Sequence, residues 1–132
     1  MNLLALTLAA ALQAAPAPMP LLEGAQAAPD CGELYDLKAT TFCVTAPLSG
    51  MEAAGKAYIA HLEADGWLVA DGNDRRVVFV RRHDGGGCEA MQMLAFFDRS
   101  QPAEATTPGY LGFSTLPGDA CQGAAEPTPS AS

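Results

Sequence analysis

The side chains best suited to chemistry in this sequence lie around one predicted hairpin strand, at residues 75–84. Four arginines bracket a Val-Val-Phe-Val run there, and a histidine and an aspartate follow it. Guanidinium groups form forked hydrogen bonds to carboxylates and phosphates, and histidine titrates near neutral pH. The residues that we take as a candidate anion-binding site are Arg76, Arg82, His83 and Asp84.

Strand geometry limits what these arginines can do together. Side chains alternate across a strand, so Arg76 and Arg82 point to one face while Arg75 and Arg81 point to the other. The four therefore cannot converge on one ligand. The competing interpretation is that they are charged residues that keep an apolar strand from aggregating and that neighbour surplus carboxylates.

The other residues of catalytic or metal-binding type occur in ordinary settings. His61 falls on the flank of a helix, and Met91 and Met93 alternate along a strand as core residues do. The Asp-Gly-Asn-Asp run at 71–74 lacks the later glutamate of a calcium loop, which indicates a turn. No Gly-x-Ser-x-Gly elbow or phosphate-binding glycine loop is present. We expect no catalytic residue, no metal site and no cofactor, and a non-enzymatic protein is favoured.

Four cysteines, with no Cys-x-x-Cys pair among them, predict two disulfides. Zinc is the rival, but structural zinc sites usually take their ligands in close pairs, and these cysteines lie far apart. Strand parity places Cys43 and Cys88 on one face, which favours Cys43 with Cys88 and Cys31 with Cys121. The alternative pairing is Cys31 with Cys43 and Cys88 with Cys121.

One helix has the clearest signals in the sequence. Ser49 followed by Glu52 is the pattern of a reciprocal capping box, which predicts the start. Gly66 suits the left-handed residue just past the last turn, and Trp67 then packs back on the helix end. An apolar stripe recurs between them at helical spacing, formed by Met51, Ala54, Gly55, Tyr58, Ile59 and Leu62.

Runs of β-branched and aromatic residues predict strands on either side of this helix. The predicted strands cover residues 40–46, 67–70, 75–83, 88–98 and 110–116. This order fits one layer of helix on one layer of sheet. We predict an α+β, two-layer fold in which one main helix packs on a mostly antiparallel sheet of four to five strands, stapled by disulfides.

The two ends of the chain predict segments outside this domain. Residues 3–12 form an apolar run followed by small residues and prolines, which is typical of a secretory signal and too short to span a bilayer. A buried N-terminal helix is the alternative. We divide the chain into a signal peptide and linker over 1–28, one small domain over 30–122 and a disordered tail over 123–132.

Charge and export together limit the function. The formal charge is −8, from 15 acidic and 7 basic side chains, which disfavours nucleic acid as a partner. A signal and disulfides predict an exported protein, periplasmic or secreted, and abundant Ala and Gly with more Arg than Lys indicate a bacterial source. We expect a binding or envelope-accessory module whose partner is another envelope protein or a small ligand, with no stable transmembrane span.

Two alternatives to this function remain open. One is a small anion-binding receptor or enzyme with its site at the Arg-rich hairpin. The other is a structural domain tethered to a membrane by its N-terminal segment. In each case the helix is scaffold, and function is expected on the opposite sheet face or around the hairpin.

Overall fold

Seven antiparallel strands and one helix form the fold of residues 14–121, the part of the chain that this computed structural model describes. The helix α1 (Met51–Ala64) follows a 3-10 turn at Leu48–Gly50. The strands, in chain order, are β1 (Ala15–Pro16), β2 (Gln26–Ala27), β3 (Phe42–Pro47), β4 (Leu68–Gly72), β5 (Arg76–Arg82), β6 (Cys88–Phe97) and β7 (Pro108–Leu116). The sheet order is β2-β3-β7-β6-β5-β4, and β1 pairs with the far end of β7.

The predicted α+β architecture is confirmed, since one helix packs on an antiparallel sheet. The predicted number of strands, four to five, is wrong because β1 and β2 add to the five that the sequence indicates. Each of these two strands has two residues, too few for the alternation by which strands are recognised. They form in a segment whose composition predicts a linker.

Helix α1 covers one face of the sheet, which we call the helix face. Phe79, Met91 and Phe113 project from this face and are buried. Tyr58 of α1 is fully buried against them, with its ring centroid 5.0 Å from that of Phe113. Burial of such side chains contributes about 1.5 to 3 kcal/mol each, so this contact helps to hold the helix on the sheet.

The predicted end of the helix is confirmed. Gly66 has φ +92°, which a residue without a Cβ adopts at little cost. The amide of Trp67 then donates to the carbonyl of Leu62 at 3.0 Å, which closes the last turn. Trp67 is buried, so the chain packs back on the helix end as the sequence indicates.

The predicted capping box at the start of the helix is absent. Gly50 is the N-cap residue, and no side chain caps the helix. The amide of Ser49 donates to the carbonyl of Ala105 at 3.1 Å, so it has no need of Glu52. Glu52 instead forms an exposed ion pair with Lys56 at 3.3 Å. A long-range backbone contact thus replaces the local cap.

The segment between β1 and β2 is held by the buried tyrosine of α1. The hydroxyl of Tyr58 donates to the carbonyl of Pro20 at 2.6 Å and accepts from the amide of Leu22 at 3.2 Å. Nearby, Ala17 is buried and its amide donates to the carbonyl of Phe113 at 3.1 Å. These contacts make the segment part of the packed structure.

Both ends of the chain lie outside the described residues. Residues 1–13 contain the predicted signal run, and residues 122–132 contain the predicted tail. Between these ends, no helix has the length and apolar character that crossing a membrane requires.

The disulfides join Cys31 to Cys43 and Cys88 to Cys121, with Cα–Cα distances of 5.2 and 5.1 Å. The prediction that Cys43 pairs with Cys88 and Cys31 with Cys121 is wrong, and the alternative is confirmed. Through β7, the register places Cys43 level with Leu94, six residues along β6 from Cys88. That offset is about 20 Å along the sheet and about 10 Å across it, well beyond the span of a disulfide. A shared face is therefore not enough to pair two cysteines.

Tryptic mapping tests the disulfide pairing. Each cysteine falls in a different tryptic peptide, since Lys or Arg separates every pair. Mass spectrometry of an unreduced digest is expected to show the peptide ending at Lys38 joined to 39–56, and 83–99 joined to the peptide that begins at residue 100. A reduced digest is the control. A species joining 39–56 to 83–99 would contradict the structure.

Substitution of Tyr58 tests how the N-terminal segment is held. Tyr58→Phe leaves the Pro20 carbonyl and the Leu22 amide without their partner, so we expect a loss of about 1 to 3 kcal/mol in the free energy of unfolding, measured by urea titration. Tyr35→Phe is the matched control, because the Tyr35 ring is 60% exposed and its hydroxyl has no hydrogen bond within residues 14–121. Equal losses in the two variants would refute this role.

Candidate functional site

The face of the sheet opposite α1, which we call the open face, carries apolar side chains in its central part. The register places Leu68, Val80 and Leu116 in one row across it, and Val78 and Leu94 in neighbouring rows. Leu68, on the edge strand β4, is 66% exposed. The other side chains named are half-buried, so Leu68 is the exposed apolar residue of this row.

The four residues of the predicted anion site do not come together. Arg76 and Arg82 lie on the open face, as their spacing predicts, but at opposite ends of β5. Six residues of strand separate them by about 20 Å. Arg76 donates from Nε to Oε1 of Gln92 at 2.7 Å, so it is engaged with its own sheet. A ligand that contacts one of these arginines is out of reach of the other.

His83 and Asp84 lie in the turn between β5 and β6. The amide of His83 donates to the carbonyl of Gly87 at 2.9 Å, which closes the turn. Both side chains and that of Arg82 are exposed, and none of the three lines any of the five principal concavities in residues 14–121. An anion site at this hairpin therefore stays a prediction without support from the geometry.

Arg81 has the structural role that the competing interpretation gives to these arginines. Its guanidinium lies 4.4 Å from the ring centroid of Trp67, and it forms ion pairs with Asp65 at 3.0 Å and Glu89 at 2.8 Å. The three partners connect the end of α1 with β6. Arg81 thus links three parts of the fold.

The largest concavity lies at the other end of β5. Two adjoining hollows of about 630 and 480 Å³ share four lining residues, which are Tyr35, Arg75, Ala95 and Phe96. The first continues over Leu37 and Leu94 on the open face. The second continues to Leu48, Met51, Phe97 and Arg99 on the helix side. We call the combined hollow the edge groove, because it follows an edge of the sheet.

The edge groove exists because β6 is longer than its neighbour β5. Pairing between these strands ends at Arg76 with Leu94, whereas β6 continues to Phe97 and pairs there with β7 alone. Beyond Leu94, the amide of Ala95 donates to the carbonyl of Arg75 at 2.8 Å. The rest of this end of β6 forms the floor of the groove.

Aromatic side chains form the wall of the groove on the open face. Phe96 stacks on Tyr110 of β7 at a centroid distance of 5.4 Å, and Tyr35 meets Phe96 edge-on at 5.9 Å. Such pairs are worth about 0.5 to 1.5 kcal/mol beyond area burial. Tyr35 stays largely exposed and is able to pack against a ligand in the groove.

The loop that carries Tyr35 is fixed by covalent and backbone constraints. The disulfide to Cys43 anchors Cys31 at its start, four residues before Tyr35. Cys31, Glu33, Tyr35 and Asp36 all have φ between 53° and 59°, a region that residues with a Cβ rarely adopt. Strained backbone of this kind concentrates at binding sites, where it holds a side chain in place.

The charge of the groove is opposite to that of the protein as a whole. Arg75, Arg76 and Arg99 line it, and Asp74 is the one carboxylate among its lining residues. The side chains of Arg75 and Arg99 form no hydrogen bond or ion pair with any residue of the described part of the chain. In a protein of formal charge −8, this is a local concentration of unpaired positive charge.

The carboxylate of Asp98, next to Arg99 in the sequence, is held by the turn after β6. Its Oδ1 accepts hydrogen bonds from the hydroxyl of Ser100 at 2.6 Å and from the amide of Ser100 at 3.0 Å. These bonds stabilise the ionised form and lower the pKa of Asp98. Asp98 therefore bonds within the turn after β6, and it is not among the residues that line the groove.

The side chains that line the groove are mainly apolar residues and arginines. Its lining residues include no histidine, cysteine or serine to act as base or nucleophile. Elsewhere in residues 14–121, the one group of three metal-ligand side chains is Cys88, Asp119 and Cys121, and its two thiols are joined in a disulfide. The main interactions that these lining residues can make are apolar contacts and hydrogen bonds from arginine.

The sequence contained part of the signal for this site. The alternation in β6 places Leu94 and Phe96 away from the core, which already indicated an apolar open face. The position of Tyr35 gave no such signal, because it depends on which cysteine pairs with Cys31. The position at which β5 stops pairing with β6 also depends on the tertiary structure, so it could not be read from local sequence.

No family model, curated protein or solved structure is similar enough to this chain to count as a match.

Gly32 tests how tightly the groove wall is packed. A Cβ there would lie 2.6 Å from Cζ of Tyr110, at a φ of +67°, so Gly32→Ala is expected to displace the Tyr110 ring and to cost about 2 to 4 kcal/mol in unfolding free energy. Gly24→Ala has a similar φ, +88°, but meets nothing within 4 Å, so we expect only about 1 to 2 kcal/mol. Thermal unfolding measures both losses. Equal losses in the two variants would show that the Tyr110 ring moves aside at little cost.

Proposed function

We propose that this chain is a small exported binding protein, and that the edge groove takes an apolar ligand bearing a carboxylate or another anionic group. The observation that carries the proposal is the combination of an exposed aromatic wall with unpaired arginines, Arg75 and Arg99, in an otherwise acidic protein. Apolar contact supplies affinity in such a site, and a few polar groups fix the orientation of the ligand.

The chemistry of arginine supports an anionic group on the ligand. A guanidinium stays charged at any physiological pH and binds carboxylate through two parallel hydrogen bonds. Arg75 lies where the two hollows meet, so a ligand in either hollow reaches it. The surplus of negative charge elsewhere on the chain repels anions from other surfaces and thus adds specificity.

Export is part of the proposal. Its support is the pair of disulfides, because cytosolic thiols are kept reduced while exported small domains commonly rely on such bonds. The apolar run at residues 3–12 gives the sequence argument for a signal peptide. The disulfides and the apolar run both fit a bacterial protein that is periplasmic or secreted and that binds a small ligand or an envelope protein.

A fluorescent anion tests the proposed site. ANS, an anilinonaphthalene sulfonate, combines fused aromatic rings with one negative charge, and its fluorescence rises in apolar surroundings. We expect saturable binding to the native protein, weakened about three- to tenfold by Arg75→Gln, which removes one charged hydrogen-bond donor. Neutral anilinonaphthalene is expected to bind both proteins alike.

The matched control is Arg82→Gln, which makes the same charge change at the opposite end of β5. It is expected to leave ANS affinity unchanged. Equal weakening by both substitutions would show that only net charge matters, and the absence of saturable binding would remove the groove as a site. Unfolding curves of the variants establish that each is folded.

A further inference from the structure

We propose that the partner is an acidic segment of another polypeptide, which binds in extended conformation as an added strand along residues 95–97 of β6. This inference rests on the proposed function, since it uses the same groove and names what fills it. It makes the edge groove a site of β-strand addition, a mode in which main-chain hydrogen bonds give affinity and alternate side chains give specificity.

The floor of the groove presents backbone groups that need a partner. The amide of Ala95 points away from β7, since it reaches the carbonyl of Arg75. Hydrogen-bonding directions alternate along an antiparallel strand, so residues two apart point to the same side. The amide and carbonyl of Phe97 therefore point away from β7, as the amide of Ala95 does. The amide of Arg75 donates to Oδ1 of Asn73 at 2.8 Å and so does not return a bond to the Ala95 carbonyl. An edge donor and edge acceptors are thus presented to the groove.

These backbone groups decide between ligand classes. A purely apolar ligand lying on the groove floor would take them out of water without replacing their hydrogen bonds, which is unfavourable. A peptide backbone brings donors and acceptors at the matching spacing. The site therefore favours a polypeptide over a fatty or aromatic acid, although both carry the anion that the arginines recognise.

The walls match the alternation of an added strand. A segment that continues the line of β5 would point successive side chains to opposite faces of the sheet. On the open face these side chains meet Tyr35 and Phe96, and on the helix side they meet Leu48 and Met51. Both faces thus have an apolar contact for alternate residues of the segment.

Charge sets the ends of the segment. Arg75 lies where β5 pairing stops, and Arg99 lies two residues beyond the end of β6. The stretch from Ala95, whose partner on this side is Arg75 itself, to Arg99 covers five positions, so a segment of about five residues reaches both arginines. A segment with apolar residues in its centre and a carboxylate at each end is complementary to this arrangement.

A short peptide tests the inference directly. The probe is a fluorescein-labelled peptide, Glu-Val-Phe-Val-Glu, capped at its C-terminus, and anisotropy measures its binding to the full chain. In an added strand, alternate amides face β6, so methylation of the two Val nitrogens and methylation of the Phe nitrogen have different effects. We expect one of these two methylated peptides to bind at least about tenfold more weakly and the other to bind like the parent.

The outcomes separate this inference from the proposed function. If both methylated peptides bind like the parent, strand addition is overturned while the groove remains a binding site. If no peptide binds but ANS still depends on Arg75, the ligand is a small anion and the inference fails alone. If neither ANS nor peptide binds in the groove, the proposed function fails as well. A Lys-Val-Phe-Val-Lys peptide is expected to bind at least about tenfold more weakly than the parent.

Hydrogen exchange supplies a second measurement that does not depend on the label. In the peptide complex, exchange of the Phe97 amide is expected to slow at least about tenfold, because an added strand closes it into a hydrogen bond. The amide of His83, which already donates within the distant turn, is the internal control and should not change. Unchanged exchange at Phe97 in a saturated complex would overturn strand addition.

Discussion

The pairing of β6 with β7 is the interaction on which the rest of this structure depends. It runs without interruption from Ala90 with Leu116 to Phe97 with Gly109. On one side of this pair lie β5 and β4, and on the other lie β3, β2 and β1. The buried Met91 and Phe113 that hold the helix belong to it, and so do Phe96 and Tyr110 on the opposite face. The helix-facing core and the aromatic wall of the groove therefore lie on opposite faces of the same pair of strands.

The parts of the fold that could be predicted from the sequence are those set by local chemistry. Gly66 ends the helix because a left-handed residue is needed there, and the alternation around Met91 and Met93 identifies β6 and its buried face. The parts that could not be predicted depend on distant contacts. The capping box is absent because the helix starts one residue later, with Gly50 as N-cap, and the Ser49 amide already donates to Ala105, more than fifty residues away. The strands β1 and β2 exist only because β7 and β3 offer edges for them.

The candidate site divides in the same way. The sequence correctly indicated the face that each arginine of β5 occupies, since alternation is local. It could not indicate that Arg81 would be paired with carboxylates from two other elements while Arg75 remained unpaired. It also could not place Tyr35 beside Phe96, because residues 61 positions apart meet only through the folded loop. The candidate site therefore depends on which charged side chains the fold leaves unpaired.

The disulfide at Cys31 controls the position of the loop that carries Tyr35. It closes a loop of 12 residues that ends on β3, and Tyr35 is carried within that loop in a strained backbone conformation. Reduction of this bond removes the covalent tie that opposes this strain. Under the proposed function, the aromatic wall that Tyr35 completes therefore depends on the Cys31–Cys43 bond, and bonds of this kind form in oxidising compartments.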